Sequence, residues 1–484
     1  MIVSLFGATG CPQGVDEGLP PAITLPDGKV YAVELGESLT ISPVFENLTE
    51  GATVTWLHDG EVAGIGTSFT FTPVEAGVYY FTIVATNAYG EAFAELRIDV
   101  RKQPEPEPQP QPQPPENLRC VFEQAEYHVA VGRTIRLLPL DIDSTKAWTF
   151  TWQVDGSVVQ QGTEPLYRFS ATAQGSHRVD FRMSDGEQQA DTTLVVVVCP
   201  PEGTYRRPAD ASSSPEASRV YDFSPAPGQY VNENYTATTM EQACAYALGR
   251  MREGKYVSLG GFGGSVTVGF DHSIANDGDY NFAIKEASYT NYSEPGIVWV
   301  MQDENGDGLP NDTWYELKGS EYGLACTVQD YAVTYYRPEA PAQAVAWIDN
   351  RGGSGSVDYL AAFHKQDYYY PLWVADSTYT LRGSRLEARN YDQSGRGVLW
   401  INPDYGWGYA DNYSQTDMLP ERATGVTKGY NHFRISDAVT FDGQSANLQY
   451  IDFVKVQTGL NTKSGWLGEV STEVMGVIDF NLVK

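Results

Sequence analysis

The sequence predicts an all-β chain built from sandwiches, and three observations favour this class. The run SVTVGFDH (265–272) alternates between small or polar and apolar residues, which is the period of a half-buried strand. GIVWVMQ (296–302) and TWYELKG (313–319) are predicted to be two further strands. Glycine is frequent, at 47 residues, and aromatic residues form 12% of the chain, as suits turn-rich sheets. A length of 484 residues allows about three domains.

The first predicted sandwich spans residues 22–101. Four alternating runs separated by turn residues lie at 52–60, 67–74, 78–87 and 93–100. Trp56 is expected to be buried ahead of the turn at Asp59-Gly60. Together with the AGVY corner, this pattern resembles PKD and immunoglobulin-like domains, in which a corner tyrosine bonds back to the backbone. Tyr79 is the residue in that place.

Residues 119–200 repeat this domain. The segment TFTWQVDG (149–156) aligns with TVTWLHDG (53–60), so that Trp152 matches Trp56. His177 stands where the first copy has its corner tyrosine. We expect the two sandwiches to act as a stalk or spacer.

The connecting segments also carry information. Residues 1–21 contain ATGC, which resembles a bacterial lipobox and makes Cys11 a candidate for lipidation. Residues 102–118 are rich in alternating proline and predict an extended polyproline spacer. Residues 201–218 are expected to be a second linker. The alternative for Cys11 is an unmodified cysteine in a disordered tail.

The C-terminal region, residues 219–484, is predicted to be one larger jelly-roll sandwich, galactose-binding-like, with a single short helix. Thr238 and Glu241 have the spacing of a capping box. QACAYALGRMREG follows, and Gly254 is expected to end the helix.

Four further cysteines leave two readings open. Cys120 and Cys199 bracket the second sandwich, and an exported protein permits a disulfide between them. Buried free thiols are the alternative, and they are favoured for Cys244 and Cys326. No Cys/His spacing in the chain indicates zinc.

The acidic loop DENGDGLPND (303–312) is the sharpest local signal. It predicts a structural calcium site, because its oxygen-bearing residues alternate as in an EF-type loop, with a glycine for the turn. Trp314 replaces the closing glutamate, so the loop is not an EF-hand. A solvated hairpin turn is the alternative, and Asn276-Asp277-Gly278-Asp279 is a weaker acidic turn. The predicted ligands are Asp303, Asn305, Asp307, the Leu309 carbonyl and Asp312.

Aromatic clusters predict a binding surface for a flat ligand, such as a sugar face or a macrocycle. The clusters are YYYPLW, the glycine-spaced PDYGWGY, and a polar loop after Trp347. Burial of part of these rings in the core is the alternative. The predicted ligand-binding residues are Trp347, Asp349, Asn350, Arg351, Tyr368, Tyr369, Tyr370, Trp373, Tyr405, Trp407 and Tyr409.

Charge and motifs exclude several functions. Acidic residues outnumber basic ones 62 to 32, a net charge of −30, which repels nucleic acid. No apolar run approaches membrane-spanning length. The chain lacks His-Glu-x-x-His, Gly-x-Ser-x-Gly and a phosphate-binding glycine loop. His272 is expected to be structural, and we expect a protein that is not an enzyme.

Several motifs of the C-terminal region resemble those of a known protein family. SLGGFGGSVTVGFDHSI, EPGIVWVMQDENGDGLPNDTWYELKGSEY, WIDNRGG and YIDFVKVQTG resemble a family of Bacteroidetes cell-surface lipoproteins, as do the lipobox and the PKD-like domains. That family accompanies TonB-dependent cobalamin transporters. The resemblance implies an outer-membrane, lipid-anchored, surface-exposed protein that binds cobalamin or a related corrinoid. Its implied partners are the transporter and other surface lipoproteins that bind vitamin B12.

A second function class remains open at this stage. Tandem PKD-like sandwiches before a jelly roll also suit a glycan-binding or adhesin module, and fold alone does not choose between the two. A corrinoid binder predicts one tight site, whereas a glycan binder predicts a shallow aromatic platform with weak affinity.

Overall fold

The computed structural model describes residues 18–26, 28–101, 119–143, 145–418 and 429–483. It divides into two compact units, Met1–Pro115 and Glu116–Lys484. Cys11 and the proline-rich segment 102–118 lie outside the described residues, so the predictions made for them stay predictions.

The first unit contains one sandwich of nine strands. A five-stranded sheet in the order β2-β9-β8-β5-β6 packs against the pairs β1-β4 and β3-β7. All pairings are antiparallel except β2 with β9, which is parallel. The strands are β1 (Ala22–Thr24), β2 (Val30–Glu34), β3 (Leu39–Ile41), β4 (Val44–Glu46), β5 (Thr53–His58), β6 (Glu61–Ile65), β7 (Phe69–Phe71), β8 (Gly77–Asn87) and β9 (Gly90–Arg101).

Trp56 is the centre of this core, as predicted. Its side chain is fully buried, and its indole N–H donates to the Gly66 carbonyl at 2.9 Å. The Tyr79 hydroxyl donates to the Glu75 carbonyl at 2.9 Å. The prediction of a corner tyrosine is therefore confirmed.

The second sandwich has the same strand order with fewer strands. A sheet ordered β10-β16-β15-β12-β13 faces the pair β11-β14, and β10 runs parallel to β16. Trp152 is fully buried, as the repeat predicts. The strands are β10 (Glu126–Ala130), β11 (Thr134–Leu137), β12 (Thr149–Val154), β13 (Ser157–Gly162), β14 (Tyr167–Ser170), β15 (Gly175–Ser184) and β16 (Gln189–Cys199).

The C-terminal domain is a larger sandwich with one α-helix, α1 (Met240–Arg252), and three single-turn 3-10 helices at Ile435–Asp437, Gly465–Leu467 and Phe480–Leu482. Its strands are β17 (Arg219–Ser224), β18 (Val257–Ser258), β19 (Ser265–Ala275), β20 (Phe282–Lys285), β21 (Gly296–Met301), β22 (Trp314–Leu317), β23 (Val328–Tyr336), β24 (Val345–Asp349), β25 (Ser354–Val357), β26 (Thr378–Arg385), β27 (Tyr391–Asp392), β28 (Trp400–Ile401), β29 (Tyr430–Phe433), β30 (Ala438–Val439), β31 (Tyr450–Thr458), β32 (Glu473–Val474) and β33 (Gly476–Asp479).

The described residues of this domain form three larger antiparallel sheets and two antiparallel pairs, β18-β32 and β27-β28. The main sheet is ordered β17-β19-β31-β21-β22-β30, the second β25-β24-β23-β26 and the third β29-β20-β33. One apolar core joins the main and third sheets with α1, through residues such as Val268, Phe282 and Ala247. A second core lies on the four-stranded sheet around Tyr335. The predicted fold class, tandem immunoglobulin-like sandwiches followed by a larger β-sandwich with one helix, is confirmed.

The helix begins one residue later than the capping box predicts. Thr239 is the N-cap, and its hydroxyl accepts the Gln242 N–H at 3.3 Å. The Gln242 side chain accepts the Thr238 N–H at 2.9 Å in return. Gln242 thus takes the role predicted for Glu241, because its carbonyl reaches back over the first turn. Gly254 adopts a φ of 66° just past the end, as expected of a stop.

The second sandwich is bound to the C-terminal domain. The Ala130 N–H donates to Glu304 at 2.8 Å, and Arg133 donates to the Ala446 carbonyl at 2.6 Å. Arg136 and Asp330 form a two-bond ion pair at 2.7 and 2.9 Å. These bonds join the second sandwich to the C-terminal domain, and its expected role as a stalk or spacer stays a prediction.

Residues 201–218 are part of the same contact and do not form a free linker. Glu202 accepts from Gln302 at 2.6 Å and from the Gln449 N–H at 2.8 Å. The Arg207 N–H donates to Ser273 at 2.9 Å. Hydrogen bonds of the Glu202 side chain and of the Arg207 backbone therefore hold this segment against the C-terminal domain.

Cys120 and Cys199 are both free thiols, which agrees with the free-thiol alternative and not with a disulfide. Cys120 lies beside Met183, which pairs with Ala190 near the start of β16. Cys199 ends that strand. At about 3.3 Å per residue, the strand separates the two positions by roughly 30 Å, far beyond the span of a disulfide.

Candidate functional site

Most rings predicted to bind a ligand belong to the core. Tyr369, Tyr370, Tyr405 and Tyr409 are at most 3% exposed, so their faces are not available at a surface. The prediction for these four is corrected: an apolar ring in a loop gains more from burial than from exposure. Trp373 packs on the main core, and its ring stacks on Phe223.

Other predicted residues are half-buried or serve local structure. Tyr368 and Trp407 are half-buried, and Arg351 is exposed. Trp347 packs beside the core of the four-stranded sheet. Asp349 accepts the Tyr331 hydroxyl at 2.6 Å and the Gly353 N–H at 2.7 Å, and Asn350 accepts the Ala332 N–H at 3.1 Å. These bonds account for the two polar side chains without a ligand.

The acidic loop is held by its own amides. Asp303 accepts the N–H groups of Gly306 and Gly308 at 2.8 and 3.0 Å. Asp307 accepts the Leu309 N–H at 2.7 Å and the Asn305 side chain at 2.9 Å. The calcium site predicted for these residues stays a prediction.

Asp312 contacts the second sandwich. Its carboxyl accepts the Glu304 N–H at 3.0 Å and lies 3.3 Å from Nδ1 of His128. The hydrogen bond with Asp312 raises the pKa of His128 to about 9. An imidazolium therefore faces Asp312 at neutral pH, so this residue takes part in the domain contact, and its predicted role as a calcium ligand stays a prediction.

A cleft in the C-terminal domain collects residues that the sequence did not single out. Its volume is about 240 Å³. We call it the acidic cleft. Its apolar and aromatic lining is Tyr230, Tyr256, Tyr292, Phe363, Trp466 and Leu467, and its polar lining is Gln229, Glu294, His364, Asn402, Ser464, Glu469, Ser471 and Glu473. None of the predicted ligand-binding residues lines it.

The glycine-rich segment 259–264 positions one wall of this cleft. The Leu259 N–H donates to the Thr472 carbonyl at 3.0 Å, and the Gly260 N–H donates to Ser471 at 2.9 Å. A Cβ on Gly260 would lie 2.1 Å from the Ala226 carbonyl oxygen. Glycine is needed because the backbones approach so closely.

Glu294 and Glu473 line the cleft and, together with the adjoining buried Asp411, form what we call its floor. Oxygens of Glu294, Asp411 and Glu473 all lie within 4.8 Å of one another. Asp411 is 2% exposed, and its carboxyl accepts the Glu473 N–H at 2.8 Å. These residues are distant in sequence and meet because β21, β32 and the loop before Asp411 converge.

Burial and mutual repulsion govern the charges of these groups. Burial, followed by the charge of Asp411, raises the pKa of Glu294 well above its ordinary value. Burial and Glu294 raise the pKa of Glu473. Burial also raises the pKa of Glu469 to about 8. The cleft therefore holds acids that favour their protonated forms or a bound cation.

Two exposed rings stand at the mouth of the cleft. Phe363 is 59% exposed and Trp466 is 48% exposed, and their ring centroids are 5.7 Å apart. Exposed rings that adjoin a polar cleft are a common mark of a binding site. Trp466 lies between Gly465 and Gly468, and Trp407 likewise lies between two glycines. The pattern of a ring between glycines therefore also indicates Trp466 from the sequence.

A second cavity of about 240 Å³ lies between the second sandwich and the C-terminal domain. Lys455 sits over the rings of Trp299 and Trp314 there, at 5.2 and 4.5 Å. Burial lowers the pKa of this lysine and raises that of the neighbouring Glu316 to about 7. The cavity belongs to the contact between the two domains.

Comparison with known proteins places the N-terminal domain. The family model of the PKD-like domain matches residues 20–87, so this domain is PKD-like. No curated protein matches the chain. Among the described residues, α1 and the 3-10 turns are all too short or too polar to cross a membrane.

Solved structures similar to the chain are immunoglobulin-like or fibronectin-like. The Clostridium thermocellum CbhA fibronectin(III)-like modules share 15% identity over 39% of this chain and 100% of theirs, with a TM-score of 0.17. Titin domains z1z2 in complex with telethonin share 16% sequence identity over 38% of this chain and 98% of their own, with a TM-score of 0.15. At such scores, the fold assignment rests on the strand order described above.

Proposed function

We propose that this chain is a cell-surface lipoprotein that binds cobalamin or a related corrinoid at the acidic cleft and assists its uptake. The resemblance of residues 219–484 to lipoproteins that accompany cobalamin transporters supplies the ligand class. The observation that carries the proposal is the exposed pair Phe363 and Trp466 beside a cleft rich in oxygen acceptors.

The chemistry of a corrinoid suits these residues. A corrin is a broad disc with partly apolar faces and with amide groups around its edge. The two exposed rings offer apolar contacts to one face of the disc. Glu469 and Asn402 offer acceptors for amide N–H groups. One oxygen of Glu469 is buried without a hydrogen-bond partner among the described residues.

Size decides how such a ligand would lie. The cleft measures about 240 Å³, below the roughly 300–1,000 Å³ of pockets that enclose a drug-sized ligand. A corrinoid is larger than that, so only an amide-bearing arm would enter the cleft while the disc lies across the rings. The outer face of the disc then stays accessible, which supports transfer to a second protein.

The membrane-related parts of the proposal rest on sequence alone. A lipid on Cys11 would anchor the chain at the outer membrane, and the segment 102–118 would extend the domains away from it. A TonB-dependent transporter and other surface cobalamin-binding lipoproteins are the proposed partners. Calcium in the acidic loop 303–312 is proposed to have a structural role.

We propose binding without catalysis. A retaining glycosidase places an ionised nucleophile about 5–5.5 Å from a protonated acid. In the acidic cleft, burial and mutual charge raise the pKa values of both Glu294 and Glu473, so the two pKa values move in the same direction and not apart, as those of an acid and a nucleophile do.

A glycan is the second candidate ligand. The same ring pair favours it, because exposed aromatic faces beside carboxyl groups also bind sugars. This ligand would need no arm in the cleft and would bind weakly across the rings.

Calorimetric titration of the full chain, without its lipid, tests the proposal. Cyanocobalamin is expected to bind one-to-one with micromolar or tighter affinity. A panel of soluble glycans and a reducing-end assay for their hydrolysis accompany it. Binding of a glycan in place of cyanocobalamin would move the assignment to the second candidate, and released reducing ends would overturn the non-catalytic part.

A further inference from the structure

The floor of the acidic cleft has the geometry of a metal site. Three carboxyl groups, on Glu294, Asp411 and Glu473, bring one oxygen each to within 4.8 Å of the others. A calcium ion lies about 2.3–2.6 Å from each oxygen ligand, so two of its ligands are separated by at most about 5 Å. One ion between the three groups satisfies all of these distances.

Among the described residues no cation is found beside Glu294 and Glu473, which are hydrogen-bonded to each other. The charges that act most strongly on Glu294 come from Asp411 and Glu469, and those on Glu473 come from Glu294 and Glu469. All of these are carboxyl groups. Like charges this close disfavour joint ionisation unless a proton or a cation lies between them.

Glu469 supplies an independent observation. It lines the same cleft and is 6% exposed. One of its oxygens accepts the Gln229 N–H at 2.8 Å, while the other has no hydrogen-bond partner among the described residues. A buried acceptor without a donor costs about 1–3 kcal/mol, and a cation or its bound water in the cleft would supply the missing partner.

Glu286, which is hydrogen-bonded to Asp411, repeats this pattern. It is 5% exposed and acts electrostatically on Asp411. One of its oxygens also has no partner within the described part of the chain. One oxygen of Glu469 and one of Glu286 are therefore buried near the cluster without a hydrogen-bond partner among the described residues.

We propose that Glu294, Asp411 and Glu473 bind a divalent cation, Ca²⁺, at the floor of the acidic cleft. This site is separate from the acidic loop 303–312, which contacts the second sandwich. It does not depend on the identity of the organic ligand. If the proposed function is correct, the open side of the ion faces the ligand and can accept an oxygen from it.

The donor set selects the metal. The cluster contains oxygen and neither histidine nor cysteine, which disfavours zinc and copper. Magnesium demands a compact octahedron at about 2.0–2.1 Å and keeps most of its water. Carboxyl oxygens spread over 4.8 Å suit the larger and more adaptable coordination of calcium.

Terbium luminescence on the full chain tests the site without any organic ligand. Tb³⁺ replaces Ca²⁺ in oxygen sites, and Tyr230, Tyr256 and Tyr292 line the cleft to sensitise its emission. The wild type is expected to give an emission that calcium displaces. Glu294→Gln and Glu473→Gln should weaken binding at this site at least tenfold.

The controls separate the two acidic regions. Asp307→Asn alters the loop 303–312, and Glu233→Gln alters a carboxyl that pairs with His364 beside the cleft. Both should leave the emission of the cleft site unchanged. Unchanged binding in the two cleft variants, or loss in Asp307→Asn alone, would overturn the proposal.

A measurement without substitutions covers the case in which a cleft variant fails to fold. Crystals of the wild type soaked in terbium should show an anomalous peak within about 3 Å of the three carboxyl groups. A peak confined to 303–312, or no peak in the cleft, would reject the site. Cyanocobalamin binding measured in parallel is not required for this outcome, so the two proposals can fail separately.

Discussion

The rings of Phe363 and Trp466 lie 5.7 Å apart and inclined by 43° at the mouth of the acidic cleft. The Trp466 indole N–H donates to the Val398 carbonyl at 3.1 Å, which fixes its orientation. An exposed ring held in place in this way loses little further freedom when a ligand binds. The pair is thus a prepared surface for a flat ligand.

Glu469→Gln should remove a pH dependence of stability. Burial raises the pKa of Glu469 to about 8, against about 4.3 in an unfolded chain. The folded protein therefore retains a proton that the unfolded chain releases. Stability falls as pH rises from about 4.5 to 8, by about 4 kcal/mol at most. The amide cannot ionise, so the variant should lose this slope.

Urea unfolding at pH 5 and pH 8 in EDTA measures this effect. Glu187→Gln, on an exposed turn of the second sandwich, is the matched control and should follow the wild type. An identical pH slope in Glu469→Gln and the wild type would show that Glu469 ionises normally.

Reductant should not change the melting temperature. Cys120 and Cys199 lie near opposite ends of β16, too far apart for a bond. After unfolding in the absence of reductant, mass spectrometry should find both thiols alkylated. Recovery of a peptide in which they are crosslinked would contradict the strand pairing described here.

Arg133→Met should destabilise the second unit by about 2 kcal/mol, because it leaves acceptors unpaired. Arg133 donates to the Ala446 carbonyl and to Glu202, each at 2.6 Å. Arg182→Met removes an exposed pair with Asp191 and should cost less than about 1 kcal/mol. Calorimetric unfolding measures both, and equal effects would argue against a tight contact between the domains.

Asp303→Asn should destabilise the acidic loop even without metal. Both carboxyl oxygens of Asp303 accept backbone N–H groups, and an amide supplies only one acceptor, so we expect a loss of about 1–2 kcal/mol in EDTA. If the loop also binds calcium, the difference from the wild type should grow when calcium is added. Asp307→Asn in the same calcium titration shows whether the loop binds metal. If the wild type and Asp303→Asn were equally stable in EDTA, the hydrogen bonds described for Asp303 would be contradicted.

Local patterns were sufficient for much of the fold. Trp56 and Trp152 recur in matching segments, and the corner bond of Tyr79 follows from its place after a turn. Which aromatic rings are exposed could not be predicted from the sequence. Tyr369 donates its hydroxyl to the His364 carbonyl at 3.1 Å, so it supports the loop that carries Phe363 and does not face the ligand itself.

The cleft could not be read from local sequence because its parts are distant along the chain. Glu294 lies inside a recognised motif, EPGIVW, but nothing in that motif indicates that Asp411 and Glu473 approach it. Only the order of strands in the sheets brings these carboxyl groups together. With 62 acidic residues in the chain, no pattern of charge distinguishes these three.

The most direct test of the central claim is equilibrium dialysis of the full chain against cyanocobalamin. Truncating a central aromatic contact costs more than about 1 kcal/mol, so Phe363→Ala and Trp466→Ala should each weaken binding about tenfold. Phe93→Ala removes a comparably exposed ring, at 64%, from the first sandwich and should have no effect. Wild-type affinity in all three variants, or no binding by the folded wild type, would contradict the assignment of the acidic cleft as a corrinoid site.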